Sequence, residues 1–169
     1  MKRTTIICLL ILVFAAPGIA AYIAYTHPNW WAKTTNHGQL LQPPPLLHQA
    51  SMSAKWQLMY WSGDGCDLAC RNRLDDLARI RLALGRRLYH VDLILAMHET
   101  ASDLSDVVRH QLQQVDGRTL TLNVADARAL GTAPAIYIVN AAHYVILAYP
   151  ATQPNDDIFQ DLKKMVSDT

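Results

Sequence analysis

Hydrophobic and polar residues divide the chain into a long apolar run, a proline-containing stretch and a region of shorter alternating patterns. No Asp, Glu, Lys or Arg occurs between Arg3 and Lys33, and within that interval Ile6–Tyr25 is apolar except for Pro17 and Gly18. A helix of about twenty residues spans roughly 30 Å, the thickness of the hydrocarbon core of a bilayer. The pattern therefore predicts a transmembrane anchor over residues 6–25.

The residues around this run predict its orientation. Lys2 and Arg3 precede it, so residues 1–5 are expected in the cytoplasm and the rest of the chain on the far side of the membrane. We expect a single pass through a bacterial-type inner membrane and a periplasmic domain. A cleaved signal peptide is the alternative, because Gly18-Ile19-Ala20 offers small residues for processing. Apolar residues that continue to Tyr25 favour the retained anchor.

Residues 26–54 are predicted to form a tether to a folded domain over residues 55–169. Pro43-Pro44-Pro45 favours extended polyproline geometry there and excludes helix. Beyond the tether, hydrophobic periodicity predicts strands that alternate with helices. The predicted elements in chain order are strand 56–61, helix 67–84, strand 91–97, a helix from caps Ser102 and Asp103 to residue 114, strand 120–124, a helical turn at 126–130, strands 136–139 and 144–149, and helix 156–166.

This order of elements predicts an α/β domain with a mixed central sheet. Strands that alternate with helices pair in parallel, and the hairpin near the end adds antiparallel strands. The order is that of the thioredoxin-like three-layer fold. Helix 67–84 is expected to bury one stripe and to expose its arginines. The stripe comprises Cys70, Leu74, Leu77, Ala78 and Leu84, and the arginines are Arg71, Arg73, Arg79 and Arg81.

Charge excludes one class of partner. The 169 residues carry a formal net charge of +1, and 51% of them are hydrophobic. The part of the chain after Lys2 and Arg3 contains 13 of the 15 basic residues and all 14 acidic ones, so the net charge of the exported part is about −1. We expect no nucleic-acid partner, because binding to phosphates needs a basic surface. Three cysteines are too few for a disulfide-stapled scaffold, so their positions matter more than their number.

Cys66 and Cys70 lie where the first domain strand gives way to the first helix. Free N–H groups and the helix dipole favour a thiolate there, so Cys66 is expected to be a nucleophile of depressed pKa and Cys70 its resolving partner. Cβ atoms four residues apart on a helix are about 5–6 Å apart, whereas a disulfide needs about 3.8 Å, so closure is expected to require adjustment of the first turn.

Other chemistry is open to the same pair. Two thiolates could bind Cu(I). Unreactive buried thiols and a purely structural disulfide are the alternatives without chemistry. Cys8, within the apolar run, is interpreted as a small apolar residue.

Pro134 and His98 are the other candidate site residues. Pro134 introduces strand 136–139, and in thioredoxin-like folds a cis proline at this point faces the cysteine pair. A proline tolerated as the first residue of a strand is the alternative. His98 follows strand 91–97 on the side where the pair is expected, since ligands lie beyond the carboxyl ends of parallel strands. It is a candidate copper ligand, and a solvated loop histidine is the alternative.

The chain resembles the Sco/SenC group of membrane-anchored, thioredoxin-like proteins that assist cytochrome c oxidase assembly, in a divergent branch. The resemblance rests on the anchor and on segments 34–44, 56–70, 79–85 and 136–150. Cys-x3-Cys after an aromatic strand is typical of this group, whereas thioredoxins have Cys-x2-Cys. Copper-binding members carry a ligand histidine at about the position of Thr132 and proline after each cysteine region, where this chain has Asp67 and Arg71.

The resemblance and the cysteine pair together suggest three functions. The first is a thiol–disulfide oxidoreductase that needs no cofactor and keeps cysteines of an oxidase subunit, or of another exported protein, reduced so that copper can enter. Cys66, Cys70 and Pro134 would form its site. The second is a Cu(I) metallochaperone that uses Cys66 and Cys70. The third is a non-enzymatic assembly scaffold with an inert or structural cysteine pair.

Overall fold

The computed structural model describes residues 3–26, 36–48, 54–101 and 104–167, and its contacts form two compact units, residues 1–35 and 36–169. In the first unit, α1 (Arg3–Thr26) is a helix that contains Pro17. Its described apolar side chains are exposed. Among the described residues no helix has both the length and the apolar character needed to cross a membrane, so the predicted anchor is not confirmed.

The second unit is built on a six-stranded sheet with the spatial order β1-β6-β5-β2-β3-β4. β2, β3 and β4 run parallel to one another, whereas β5 is antiparallel to both β2 and β6, and β1 is antiparallel to β6. The strands are β1 (Gln39–Leu40), β2 (Trp56–Trp61), β3 (Val91–His98), β4 (Gly117–Leu122), β5 (Ala135–Asn140) and β6 (Val145–Pro150). The predicted mixed sheet is confirmed.

Helices cover both faces of this sheet. One core joins one face to α2, α3 and α5, and a second core joins the opposite face to α4. The central strands β2 and β3 are buried on both faces, which explains their almost uninterrupted apolar sequences. The helices are α2 (Leu68–Ala83), a short 3-10 helix (Gly85–His90), α3 (Asp106–Gln114), α4 (Val124–Leu130) and α5 (Asn155–Ser167). The thioredoxin-like arrangement of three layers is confirmed.

The buried stripe of α2 is as the sequence predicts, but of the arginines expected on its surface only Arg79 is exposed, Arg71 and Arg73 are partly buried, and Arg81 is buried. Arg81 is 6% exposed. Its guanidinium donates to the carbonyls of Val91 (2.6 Å) and Val115 (2.9 Å) and pairs with Asp116 at 3.1 Å. These acceptors satisfy a buried charge, so Arg81 joins α2 to the start of β3 and the end of α3.

Two element boundaries differ from the expected ones because of capping side chains. Strand β4 ends at Leu122, before the predicted 124, because the Asn123 side chain caps α4 and accepts the Asp126 N–H at 2.8 Å. Helix α3 begins after Ser105, whose side chain accepts the Val108 N–H. The predicted caps Ser102 and Asp103 lie outside the described residues.

Residues 36–48, which the sequence assigns to the tether, lie within the second unit, and we call them the strap. In β1, Gln39 and Leu40 pair with Ala148 and Leu147 of β6. Leu47 is 1% exposed and belongs to the core on the α4 side. The structure differs from the expectation because main-chain hydrogen bonds on both sides of the prolines hold this segment against β6, from the Leu41 N–H to the Ile146 carbonyl and from the Val145 N–H to the Pro45 carbonyl.

Candidate functional site

The cysteine pair follows a short loop that the sheet holds in place. The Ser62 N–H donates to the Ala96 carbonyl of β3 at 3.0 Å, and the Ser62 hydroxyl donates to the Gly65 carbonyl. Gly65 has a φ of 131°, a conformation that favours glycine. The loop therefore delivers Cys66 to a fixed position at the start of α2.

Cys66 and Cys70 form a disulfide, with Cα atoms 5.1 Å apart. Cys66 precedes the cap residue Asp67 and lies outside α2, so the two cysteines are not spaced as residues four apart on a helix. Cys66 therefore remains in the loop, and this placement supplies the adjustment of the first turn that the disulfide was expected to need. Cys70 is 2% exposed, whereas Cys66 is half-buried. Residue exposure thus favours Cys66 over Cys70 as the cysteine that an attacking thiolate reaches. The predicted low pKa of Cys66 belongs to the reduced form and stays a prediction.

Charged and phenolic groups lie beside the pair. The Asp67 carboxylate accepts the Cys70 N–H at 2.8 Å and so uses one of the free donors at the start of α2. Burial raises the pKa of Tyr60, the Asp67 carboxylate raises it further, and Arg73 lowers it in part. Tyr60 and Cys70 belong to the same core. Tyr60 therefore stays protonated in the core that also contains Cys70.

Arg73, one turn beyond Cys70, fixes α2 to the loop before α5. Its guanidinium donates to the Gln153 carbonyl at 2.6 Å and to the Asn155 side chain. It also lies 3.6 Å from the Asp76 carboxylate. Because its guanidinium is bound by these groups, Arg73 positions the helix and does not offer an unpaired cation to a thiolate.

Pro134 lies at the expected point of the chain, but the expectation that it is cis is wrong. The cis peptide bond among the described residues is Gln42–Pro43. Pro134 is exposed immediately before β5, whose first residue, Ala135, pairs with Trp61. The chain turns into β5 at Gly131, where φ is 86°, so the reversal does not require a cis proline. The alternative, a proline tolerated before the first strand residue, is the one observed.

His98 ends β3 beside the loop but does not join the cysteines. Its N–H donates to the Gly63 carbonyl at 3.3 Å, and its ring Nδ1 accepts the Thr100 N–H at 3.1 Å. Over the described ranges, no group of three His, Cys, Asp or Glu side chains could hold a metal ion. The structure therefore does not assemble the three-ligand copper site that His98 would complete.

His98 instead lines a cleft of about 610 Å³ at the carboxyl ends of β2 and β3. The indole of Trp61 is fixed there by its Nε1 donation to the Gly131 carbonyl at 2.9 Å. The cleft also contains charged and hydroxyl side chains. The lining residues are Trp61, Gly63, Asp64, His98, Thr100, Ala101, Val124, Ala127, Arg128, Gly131 and Thr132.

Sequence comparison identifies the family of this domain. Residues 56–167 match the family model described as the transmembrane-like, thioredoxin-like, C-terminal domain. The chain belongs to this family. A comparison with curated proteins gives no match.

Solved structures of Sco proteins share the fold. The apo Sco1 protein of Thermus thermophilus has a TM-score of 0.57 at 17% identity, over 79% of this chain and 99% of that one. Copper-bound ScoI of Arabidopsis thaliana has a TM-score of 0.53 at 13% identity, over 69% and 86% of the two chains. Copper-bound yeast Sco1 has a TM-score of 0.51 at 15% identity, over 68% and 80%. The resemblance to the Sco/SenC group is confirmed, and at these identities it establishes the fold.

The sequence interpretation missed the cleft and the histidines of the strap. A signal for the cleft was present, since Asp64 and His98 each follow a predicted parallel strand at the same edge of the sheet. Arg128 carried no such signal, because the turn that contains it was predicted only as a connection. No local pattern marks the strap histidines, since their partners are more than 75 residues away.

Proposed function

We propose that the chain is a Sco-type thiol–disulfide protein that acts in cytochrome c oxidase assembly and keeps partner cysteines reduced. The observation that carries the proposal is the asymmetric Cys66–Cys70 disulfide after a central strand, with an accessible Cys66 and a buried Cys70. Accessibility assigns the attack on a partner to Cys66 and the resolving step to Cys70.

The reaction balances as two exchanges. In the reduced protein, the Cys66 thiolate attacks a disulfide sulfur of the partner, and the partner's other sulfur leaves as a thiolate. The Cys70 thiolate then attacks the Cys66 sulfur, which releases the second partner thiolate and leaves the Cys66–Cys70 disulfide. The partner gains two electrons and the pair loses two. An exported dithiol protein must supply two electrons for the next cycle.

Trapping the mixed disulfide tests this assignment. Full-length protein in detergent is reduced and mixed with the oxidised, cysteine-bearing exported domain of an oxidase subunit. Cys70→Ser is expected to accumulate a one-to-one mixed disulfide on non-reducing gels, because nothing resolves it, and Cys66→Ser is expected to form none. Cys8→Ser serves as the matched control and should exchange like the unaltered chain. A Cys70→Ser protein that traps no partner would refute the proposal.

Copper transport is the second candidate, and the copper-bound Sco structures of similar fold favour it. The sulfurs are bonded to each other here, so copper could bind only to the reduced pair, as a two-coordinate Cu(I) cargo. Anaerobic titration of the reduced chain should then give one Cu(I) per chain, lost in Cys70→Ser. The Cys66→Ser, Cys70→Ser double variant tests the third function, a scaffold. The variant would keep full assembly activity only if the protein acts as a scaffold.

We further propose that residues 6–25 hold the protein in an inner membrane with the domain in the periplasm. The support is the charge-free apolar sequence behind Lys2 and Arg3. A thiol reagent that cannot cross the membrane should modify reduced Cys66 in spheroplasts without lysis. Modification only after lysis would place the domain in the cytoplasm instead.

A further inference from the structure

Two buried aspartates hold the strap at its two ends. At one end, the His37 N–H donates to Asp161 Oδ2 at 2.7 Å and the His37 ring Nδ1 lies 3.2 Å from Oδ1. At the other end, the His48 N–H donates to Asp126 Oδ2 at 2.9 Å and the His48 ring Nδ1 lies 3.0 Å from Oδ1. An ionised carboxylate only accepts, so both rings act as Nδ1–H donors. We call these contacts the first and the second clamp.

The carboxylates belong to different faces of the sheet. Asp161 lies on α5 and is 0% exposed, and Asp126 lies on α4 and is 2% exposed. Because α5 and α4 cover opposite faces, the strap passes along the outer edge of β6 from one face to the other. Each clamp therefore fastens the strap to a different layer of the domain.

Between the clamps the strap buries few side chains. Of its residues only Gly38 and Leu47 are buried. Two residues of the strap pair with β6. The Leu41 N–H also donates to the Ile146 carbonyl at 3.2 Å, and further main-chain hydrogen bonds lie around Leu47. A segment with so little buried apolar surface belongs to the parts of a protein that open before global unfolding.

We propose that the strap is a releasable latch that stores tether length. When both clamps open, residues 36–48 leave the edge of the sheet and add to the tether that the sequence predicts. Thirteen residues extend to roughly 45 Å at 3.3–3.6 Å each, so the domain can reach a partner farther from the point of attachment. The same opening uncovers the outer edge of β6. The gain in reach rests on the proposed membrane attachment, whereas the latch itself does not.

Hydrogen exchange of the full-length oxidised chain in detergent tests the latch. Amides of the strap are expected to exchange at least tenfold faster than those of β2 and β3. Asp161→Asn combined with Asp126→Asn should accelerate the strap amides at least a further tenfold and keep them faster than those of β2 and β3. Asp106→Asn, at a carboxylate that is 99% exposed, is the matched control and should change neither.

A cross-linked variant tests the latch from the opposite direction. Gln39 and Ala148 are paired across β1 and β6, so Gln39→Cys with Ala148→Cys can form a disulfide in a chain whose own cysteines are serine. Its oxidation should slow exchange in the strap to the rate of β2. Strap amides that already exchange at the rate of β2 in the unaltered chain would overturn the latch, as would strap amides that exchange no faster in the double Asn variant.

The gain in reach has a separate readout. In lipid nanodiscs, energy transfer from a fluorophore at the C-terminus to acceptor lipids should fall in the double Asn variant and recover in the oxidised cross-linked one. If energy transfer is unchanged while the hydrogen-exchange rates are as expected, the gain in reach is overturned and the latch is not. Loss of thiol exchange activity would concern the proposed function and leave both results standing.

Discussion

At each end of the strap a histidine binds a buried aspartate through its main-chain N–H and its ring, yet the two carboxylates have different surroundings. Asp161 also accepts the Gly38 N–H at 3.0 Å and the Tyr149 hydroxyl at 2.9 Å. Asp126 lies instead in the first turn of α4, where the helix dipole favours a negative charge. The first clamp thus depends on converging hydrogen bonds in a core, and the second on the start of a helix.

The hydrogen-bond donors around Asp161 also determine the direction in which its pKa is shifted. Burial alone would raise the pKa of Asp161, but hydrogen bonds from the Gly38 N–H, the His37 ring and N–H and the Tyr149 hydroxyl outweigh it, so the pKa lies below its usual value. Burial also raises the pKa of Tyr149, and the neighbouring Asp161 carboxylate raises it further. The hydrogen-bond donors therefore keep the buried Asp161 carboxylate ionised. The carboxylate in turn keeps one of these donors, the Tyr149 hydroxyl, protonated.

Removing each carboxylate should give the largest contrast between the clamps. Asp161→Ala leaves the Tyr149 hydroxyl and two main-chain N–H groups without their acceptor, and we expect a loss of about 3–5 kcal/mol in the free energy of unfolding. Asp126→Ala is expected to cost about 1–3 kcal/mol. Guanidinium unfolding of the full-length oxidised chain measures both. Equal losses would mean that the additional donors at Asp161 contribute nothing.

Gly38 offers a change that affects the first clamp alone. A methyl group at this position would lie 2.5 Å from Cζ of Tyr149, whose ring is 2% exposed and held by Asp161. Gly38→Ala should therefore cost about 1–3 kcal/mol and detach residues 36–40. Gly63→Ala is the control, since its methyl group would meet Trp61 at an ordinary 3.5 Å. A Gly38→Ala protein as stable as the control would contradict the tight packing proposed here.

The elements that the sequence predicted well have local causes. The stripe from Cys70 to Leu84 follows helical spacing, and the apolar runs of β2 and β3 follow from burial on both faces. The position of Cys66 and Cys70 between strand and helix could be predicted for the same reason. Their bonding geometry could not, because it depends on Asp67, and not Cys66, being the cap of α2.

Features that depend on distant partners could not be predicted. A proline run at residues 43–45 is compatible with a free tether and with a strap, and the distant partners Asp161, Asp126 and strand β6 decide between them. Arg81 was expected on the surface because arginine is mostly exposed. It is buried instead, and the carbonyls of Val91 and Val115 accept its hydrogen bonds. The peptide bond of Pro134 likewise depends on the turn at Gly131, which the family pattern does not describe.

Acid should weaken the first clamp in a way that an uncharged replacement does not. Because the pKa of Asp161 is lowered on folding, its contribution is complete above the usual carboxyl pKa of about 3.9 and is lost as the pH falls through the folded value. The stability difference between the unaltered chain and Asp161→Asn should therefore stay constant from neutral pH down to the usual carboxyl pKa of about 3.9 and shrink only below it. Unfolding midpoints at several pH values measure it, and a difference that stays constant below that pKa as well would show that charge is not what Asp161 supplies.

The histidine rings should contribute least, because the main-chain N–H of each clamp survives any substitution of its side chain. The His37 ring is 39% exposed and also lies 3.6 Å from Asp157, whereas the His48 ring is 71% exposed. We expect His37→Gln to cost up to about 1 kcal/mol and His48→Gln less, as for other exposed ion pairs. Double-mutant cycles with Asp161→Asn and Asp126→Asn isolate each ring's coupling to its carboxylate. A larger coupling at His48 would reverse the order of the clamps and make α4, rather than α5, the stronger attachment of the strap.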